Sequence, residues 1–360
     1  MSADAAHARK LRIVQAAHSK PGRFRDAHIT MAHGAGGSST QTLIEGLLLP
    51  ALQGERLAEL ADAGTMALAG GTLAISTDSF VVKPIRFPGG SIGELAVNGT
   101  VNDLAVCGAR ACALTLSMIL EEGLDAVELR AEVTAVAASA ERAEVEVISG
   151  DTKVVERGHA DGMYICTTGV GLVDARARLS TAGLTPGDHV LVSGPVGSHG
   201  MAIMLARGQF SIEAPIESDT APLWPAVDAL LDAAGPDVHC MRDATRGGVA
   251  SALNELARAS LVGVVIHETD VPVEAAVSAA AELLGIDPLY VANEGRLLAF
   301  VAPTSAGAAL AALRAVPGCE RATDIGEVVA EPEGMVLVDP GFGGRRVLDM
   351  LAGDPLPRIC

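Results

Sequence analysis

Aromatic side chains are nearly absent from this sequence. They make up 2% of 360 residues, with one Trp, two Tyr and six Phe. A core of that composition cannot rest on stacked rings and must be filled by Ala, Val, Leu and Ile, which suits close layers of helix and sheet. Also lacking is any uninterrupted apolar run of the roughly 18 residues that a membrane span needs. The most apolar windows, 261–266 and 275–285, are short or broken by charge. There is no Cys-x-x-Cys pair and no His-Glu-x-x-His, so a closed zinc site has no support. The cysteines (Cys107, Cys112, Cys166, Cys240, Cys319, Cys360) are scattered through a chain without a secretory pattern, and read as free thiols in a reducing cytoplasm. Positive charge is scarce too. With 26 Lys and Arg against 44 Asp and Glu, the net charge of −18 argues against nucleic acid as a partner. A small anionic nucleotide stays within reach, because backbone dipoles bind phosphate locally.

The length allows two or three domains. Residues 1–25 carry Arg9, Lys10, Arg12, Lys20, Arg23 and Arg25 against Asp4, and read as a flexible extension. The turn-rich run 181–188 is the best boundary. It divides a domain at 26–180 from a second at 181–338, and 339–360 reads as a mobile tail with little to bury. Apolar periodicity predicts helices over 42–52, 92–106, 126–143, 201–207, 225–234, 274–284 and 305–315, with another from 248 to 258. Strands are predicted over 72–77, 111–120, 144–149, 163–169, 189–193, 262–266, 296–301, 325–329 and 335–338. The class is mixed α+β.

The glycine loop His33-Gly34-Ala35-Gly36-Gly37-Ser38 runs into a predicted helix and could cradle phosphate oxygens on its amides. No Lys follows the last glycine, so this is not a Walker loop, and a plain tight turn accounts for it as well. Gly169-Val-Gly171 lacks a third glycine and a following helix, which excludes a dinucleotide fingerprint. Gly194-Pro-Val-Gly197-Ser-His-Gly200 reads as a packing turn. Asp78, Asp103, Asp151 and Asp243 each stand at the end of an apolar element or beside a glycine turn. Singly each is a cap or turn former. Together they suggest carboxylates held for Mg2+, which takes hard oxygen ligands and bridges them to nucleotide phosphates.

The set HGAGGSST, STDSF, VNDLAV, GDTKVV, RDATRGG and NEGRL, closed by a terminal PRIC, resembles the HypE family of hydrogenase maturation proteins. That family lies within the AIR synthetase-like ATP-binding superfamily, and the resemblance spans 26–360. It implies a two-domain fold, with an N-terminal domain forming a dimeric β-barrel and a C-terminal α+β domain. It also implies ATP-dependent dehydration of a carbamoyl group on the terminal cysteine to a thiocyanate, the source of cyanide for a nickel–iron hydrogenase. The implied partners are the carbamoyltransferase HypF, the HypC–HypD scaffold and a second copy of the chain.

On this reading Cys360 carries the group, and the prolines Pro355 and Pro357 stiffen its arm. Glu294 is the candidate base for the amide nitrogen, and Lys153 faces the transferring phosphoryl group or the carbamoyl oxygen. His33, Gly34, Gly36, Gly37, Asn102 and Arg246 join Asp78, Asp103 and Asp151 at the nucleotide. Asp78, Asp103, Asp151 and Asp243 hold the metal. Competing readings are another superfamily member, such as a thiamine-monophosphate kinase, and a non-catalytic carrier that merely passes a ligand on Cys360.

Overall fold

The computed structural model describes residues 24–52, 59–208, 214–351 and 359–360. The extension expected at 1–25 lies outside these residues except for Phe24 and Arg25. After the glycine loop comes α1 (Ser38–Leu43), continued by a π turn (Ile44–Leu48) and a short helix (Leu49–Leu52). Strands β1 (Gly64–Leu68) and β2 (Gly71–Phe80) form a hairpin, and β3 (Arg86–Phe87) pairs with β4 (Gly90–Ser91). Helix α2 (Ile92–Val106) follows, then β5 (Ala109–Glu121), α3 (Ala126–Arg142), β6 (Glu146–Val155) and β7 (Met163–Val173).

Asp125 caps α3, its side chain accepting from the Val127 amide at 2.7 Å. Glu132 of α3 is buried and accepts from the Gly93 amide of α2 at 3.0 Å, a carboxylate set against the positive end of that helix. Nearly every residue of α2 is buried, because it packs on the first sheet and also meets the second half of the chain.

The first sheet has the order β1-β2-β7-β5-β6 and is antiparallel except for β5 and β6, which α3 joins as a parallel pair. Helices α2 and α3 cover one face. The other leaves Ile75, Ile148 and Leu172 exposed. The expected β-barrel is not formed. β1 pairs only with β2, and β6 only with β5, so among the described residues the sheet keeps two free edges and stays open. A second correction concerns 150–153. The glycine at 150 suggests a loop, yet β6 runs through it, in register with Leu116 of β5.

The second sheet is built by β8 (His189–Val192), β9 (Val238–Asp243), β10 (Gly263–His267), β11 (Leu297–Val301), β12 (Thr323–Val329), β13 (Met335–Asp339) and β14 (Arg346–Val347). Their order is β14-β13-β10-β12-β8-β11-β9. Interleaved helices are α4 (Ser198–Ala206), α5 (Trp224–Ala234), α6 (Gly248–Ser260), α7 (Ala275–Leu284) and α8 (Ala306–Arg314). Strand β11 shows why the sheet needs cover on both faces. Leu298 and Phe300 enter the core beneath α6, while Leu297, Ala299 and Val301 enter the core beneath α5 and α8.

The segment after Asp339 departs from the mobile tail expected of it. β14 extends the sheet, Leu348 is fully buried in the core beneath α6, and the Leu348 carbonyl accepts from Asn254 Nδ2 at 2.8 Å. Leu348 and Met350 are buried, whereas Phe342 and Val347 stay exposed. Leu348→Ala is expected to lower the unfolding free energy by about 2–4 kcal/mol in chemical denaturation. A change below about 0.5 kcal/mol, the size of a typical surface substitution, would show that this segment does not pack.

Candidate active site around a docked C-terminal cysteine

Helix α2 lies against both sheets, and the candidate site forms where its middle meets the ends of β2 and β9. Asp103 of α2, Asp243 at the end of β9 and Asp62 just before β1 bring one carboxylate oxygen each to within 4.8 Å of one another. Asp78 of β2 stands beside them and accepts from Thr100 Oγ1 at 2.9 Å. Asp103 accepts from Ser76 Oγ at 2.6 Å. Arg242 answers part of this charge, with Nε 3.0 Å from Asp62 and Nη2 2.6 Å from Glu255.

Burial is the first reason that these carboxyls bind protons more tightly than ordinary ones, and mutual repulsion adds to it. Asp243 is pushed up to about 8 by burial and then by Asp62, with Arg242 opposing. Asp62 rises to about 6, chiefly by burial, again against the pull of Arg242. Asp103 goes well above the ordinary range through burial and the charges of Asp78 and Asp243. Burial raises Asp78 as well.

Two loops close over this cluster. Gly36 has φ +75°, and a Cβ there would sit 2.8 Å from the Arg246 carbonyl oxygen, so only glycine lets the first loop approach the second so closely. Arg246 Nη1 donates to the Gly34 carbonyl at 3.0 Å and ties the loops together. The loop is not an open phosphate cradle in this state: the Gly36 amide donates to Thr40 Oγ1 and the Ser38 amide to the Leu351 carbonyl. Beside it a cavity of about 600 Å³ opens between Gly36, Gly37, Gln41, Ile44, Leu60 and Arg258, roomy enough for a nucleoside.

The end of the chain comes to the same place. The Val81 amide donates to a terminal oxygen of Cys360 at 2.9 Å, and Ile359 is buried. Cys360 is half-buried, and its thiol is influenced by Arg246, Glu294, Asp78 and Asp243. Burial pushes that thiol up to about 12, although Arg246 pulls it down. Glu294 is buried in the turn before β11, with Oε1 lacking any partner. Burial, followed by the charges of Asp243 and Asp219, raises it well above the usual carboxyl range.

Not every predicted residue arrives here. Asp151 pairs with Lys153 at 2.7 Å, and both are exposed on the outer strand β6. Cross-strand register puts Asp151 in one row with Ser117, Cys166 and Ser79, so its side chain leaves the face opposite to that of Asp78. Neither residue joins the carboxylate cluster of its own chain. His33 turns away as well: its Nδ1 accepts from the Thr30 amide at 2.9 Å and its Nε2 meets Asp26 at 2.9 Å. Asn102 is a brace. Its Nδ2 donates to the carbonyls of Ala221 and Glu294, and its Oδ1 accepts from the Leu223 amide. It thereby fixes the Glu294 backbone and has no donor left for a nucleotide. Sequence reasoning passes over Asp62, which stands alone among small residues in Leu60-Ala-Asp-Ala-Gly64, and over Arg242, whose motif draws attention to its neighbour.

Two family profiles match the chain: AIR synthase related protein, N-terminal domain, over residues 60–173, and AIR synthase related protein, C-terminal domain, over 185–339. Carbamoyl dehydratase HypE of Bradyrhizobium diazoefficiens is 47% identical over 337 residues, covering 94% of this chain and 97% of that protein. Its Escherichia coli K12 counterpart is 44% identical, covering 92% and 99%. A solved HypE–HypF complex is similar at a TM-score of 0.82 and 40% identity, covering 86% of this chain and 99% of that one. HypE in complex with ATP is similar at a TM-score of 0.77 and 43% identity, covering 92% and 100%. With nearly complete coverage of both partners in each alignment, the chain belongs to the HypE family of ATP-dependent carbamoyl dehydratases.

Proposed function

We infer that the chamber holding the Cys360 thiol is where its S-carbamoyl group loses water. One observation carries this reading: residue 360 lies within the field of Arg246, Glu294, Asp78 and Asp243, at the same cluster that gathers Asp62 and Asp103. ATP supplies the phosphoryl group, so that the amide oxygen leaves as phosphate rather than as oxide. The carbamoyl oxygen bonds to the γ-phosphorus as ADP departs. The nitrogen gives up two protons, and the carbon–oxygen bond breaks to leave S–C≡N.

Glu294 would take a proton from that nitrogen. A carboxyl whose affinity for protons is raised by burial is a stronger base once ionised, and Oε1 has no competing donor. Arg246 would face the oxygen as its charge grows. The clustered carboxylates fit a hard divalent cation, since their mutual repulsion is relieved by one bridging positive charge. Asp62, Asp103 and Asp243 would hold Mg2+, with Asp78 beside them, and the metal would neutralise nucleotide phosphates there. The cavity beside Gly36 and Gly37 would take the nucleoside. Asp151 and Lys153 have no part in the chamber as one chain builds it.

HypF is proposed to load the thiol and HypC–HypD to receive the cyano group, in the cytoplasm, with a second copy of the chain as a further partner. A HypE of similar structure has been solved with HypF. No helix among the described residues is long and apolar enough to cross a membrane.

Mass spectrometry of the C-terminal peptide tests the reaction. After loading by HypF, Cys360 should carry a carbamoyl adduct that loses the mass of one water on addition of ATP and magnesium. An adduct that persists under those conditions would refute the proposal. Glu294→Gln should bind nucleotide normally yet slow water loss by about 100-fold or more, within the range of a lost general base. Unchanged thiocyanate formation would remove Glu294 from the base's role.

The carboxylate cluster adds a prediction about stability. A carboxyl with a higher pKa folded than unfolded favours the folded state while protonated. For Asp243 that contribution is complete below the ordinary value of 3.8 and is lost as pH rises through about 8. Asp243→Asn should therefore melt several degrees above the parent at a pH above that value, in the absence of divalent cation, with the gap closing toward acid. Magnesium should raise the melting temperature of the parent more than that of the variant. Parallel melting curves at all pH values would contradict the buried cluster.

A further inference from the structure

His199 sits in the first turn of α4, reached through Gly197 with its left-handed φ of +86°, and is fully buried. The Gly197 amide donates to Asn293 Oδ1 at 2.7 Å, which links this turn to the segment bearing Glu294. Both ring nitrogens are engaged. Nε2 lies 2.6 Å from the Ile359 carbonyl oxygen, and Nδ1 lies 2.8 Å from Ser218 Oγ. A carbonyl only accepts, so Nε2 carries the hydrogen. The Ser218 hydroxyl can then donate to Nδ1 of a neutral ring. Burial lowers the basicity of His199, in keeping with that neutral form. The ring edge also meets Phe87, with centroids 5.6 Å apart at 85°.

The side chain of Ile359 enters the apolar cluster that includes Phe80, Val82, Ile85, Phe87 and Met201. The last two residues are thus gripped at three points: the Ile359 side chain, its carbonyl on His199, and a terminal oxygen of Cys360 on the Val81 amide. Fixing the peptide before a cysteine limits its sulfur to a short arc, and here that arc faces Arg246 and Glu294. The packing-turn reading of 194–200 accounts for the glycines but not for a buried histidine whose Nε2–H goes to the penultimate residue of the chain.

We propose that His199 is a positioning residue, a latch that together with the Ile359 socket registers the loaded cysteine against Glu294 and Arg246. The latch makes position 359 selective for an apolar side chain. Its catalytic consequence rests on the dehydration reading above; the docking itself does not.

The test follows iodoacetamide alkylation of Cys360 in the full-length protein, read on the C-terminal peptide, beside single-turnover water loss from the carbamoylated tail. His199→Ala and Ile359→Gly should each speed alkylation at least tenfold. Both should slow water loss at least tenfold, with HypF loading undiminished. Ile359→Gly touches only the tail and keeps the test valid should His199→Ala fold poorly. His199→Gln, which retains an N–H donor, should recover much of both parental rates, a rescue that mere filling of the core would not require. Parental alkylation rates in the folded variants would overturn the latch. Faster alkylation with unchanged water loss would overturn its positioning role. Should the parent lose no water, the dehydration reading fails while alkylation still reports on docking.

Discussion

The crowding of carboxylates into a poorly solvated seam is the constraint around which this molecule is arranged. Asp62, Asp78, Asp103, Asp243 and Glu294 come from five separate stretches of chain, and burial leaves each reluctant to ionise. Such a group of acids is costly in an apolar interior without cations or protons to balance it. The protein sets two arginines against those acids, the half-buried Arg242 and the exposed Arg246. That is too little positive charge for five ionised carboxylates, and a divalent cation would relieve the shortfall. Surrounding features hold this imbalance in place: Thr100 and Ser76 hydrogen-bond the acids, and Asn102 pins the Glu294 backbone.

Helix α2 is the element that makes the arrangement possible. It is apolar on nearly all sides because it serves two sheets at once, and it carries Asn98, Asn102 and Asp103 into the seam between them. The low aromatic content has a physical counterpart here. Glycines 93 and 99 let α2 approach so closely that a Cβ at Gly93 would lie 2.5 Å from the Glu132 carbonyl oxygen, and one at Gly99 would lie 2.8 Å from the Phe80 ring. Bulky rings throughout would hold these layers apart.

Elements with strong periodicity are legible in the amino-acid sequence alone. The predicted bounds of helix α2 coincide with the observed ones, because its apolar run begins after Ser91 and ends before Gly108. Strand β11 starts within one residue of its expected position. What local sequence does not convey is which way a side chain faces once strands pair. Asp151 and Lys153 look equivalent to the other motif residues, yet the register of β6 turns them outward. Gly150 resembles a loop signal because a glycine inside a strand looks the same as one between elements. Asp62 has no pattern around it and becomes visible only when Asp103 and Asp243 arrive from more distant parts of the chain. The tail from 339 misleads for a related reason: its apolar residues are few and lie among Gly, Arg and Asp, so the burial of Leu348 and Met350 is not visible before the sheet is assembled. Closure of the first sheet into a barrel is an inference from kinship, and the unpaired edges of β1 and β6 correct it.

The raised proton affinity of the docked Cys360 thiol sorts the states of the arm by charge. A bare sulfur can rest in the chamber only while it keeps its hydrogen, and in that form it is a poor nucleophile. A thiocarbamate or a thiocyanate carries no charge on sulfur, so that desolvation cost does not apply to it. The chamber thus favours an uncharged sulfur over a thiolate.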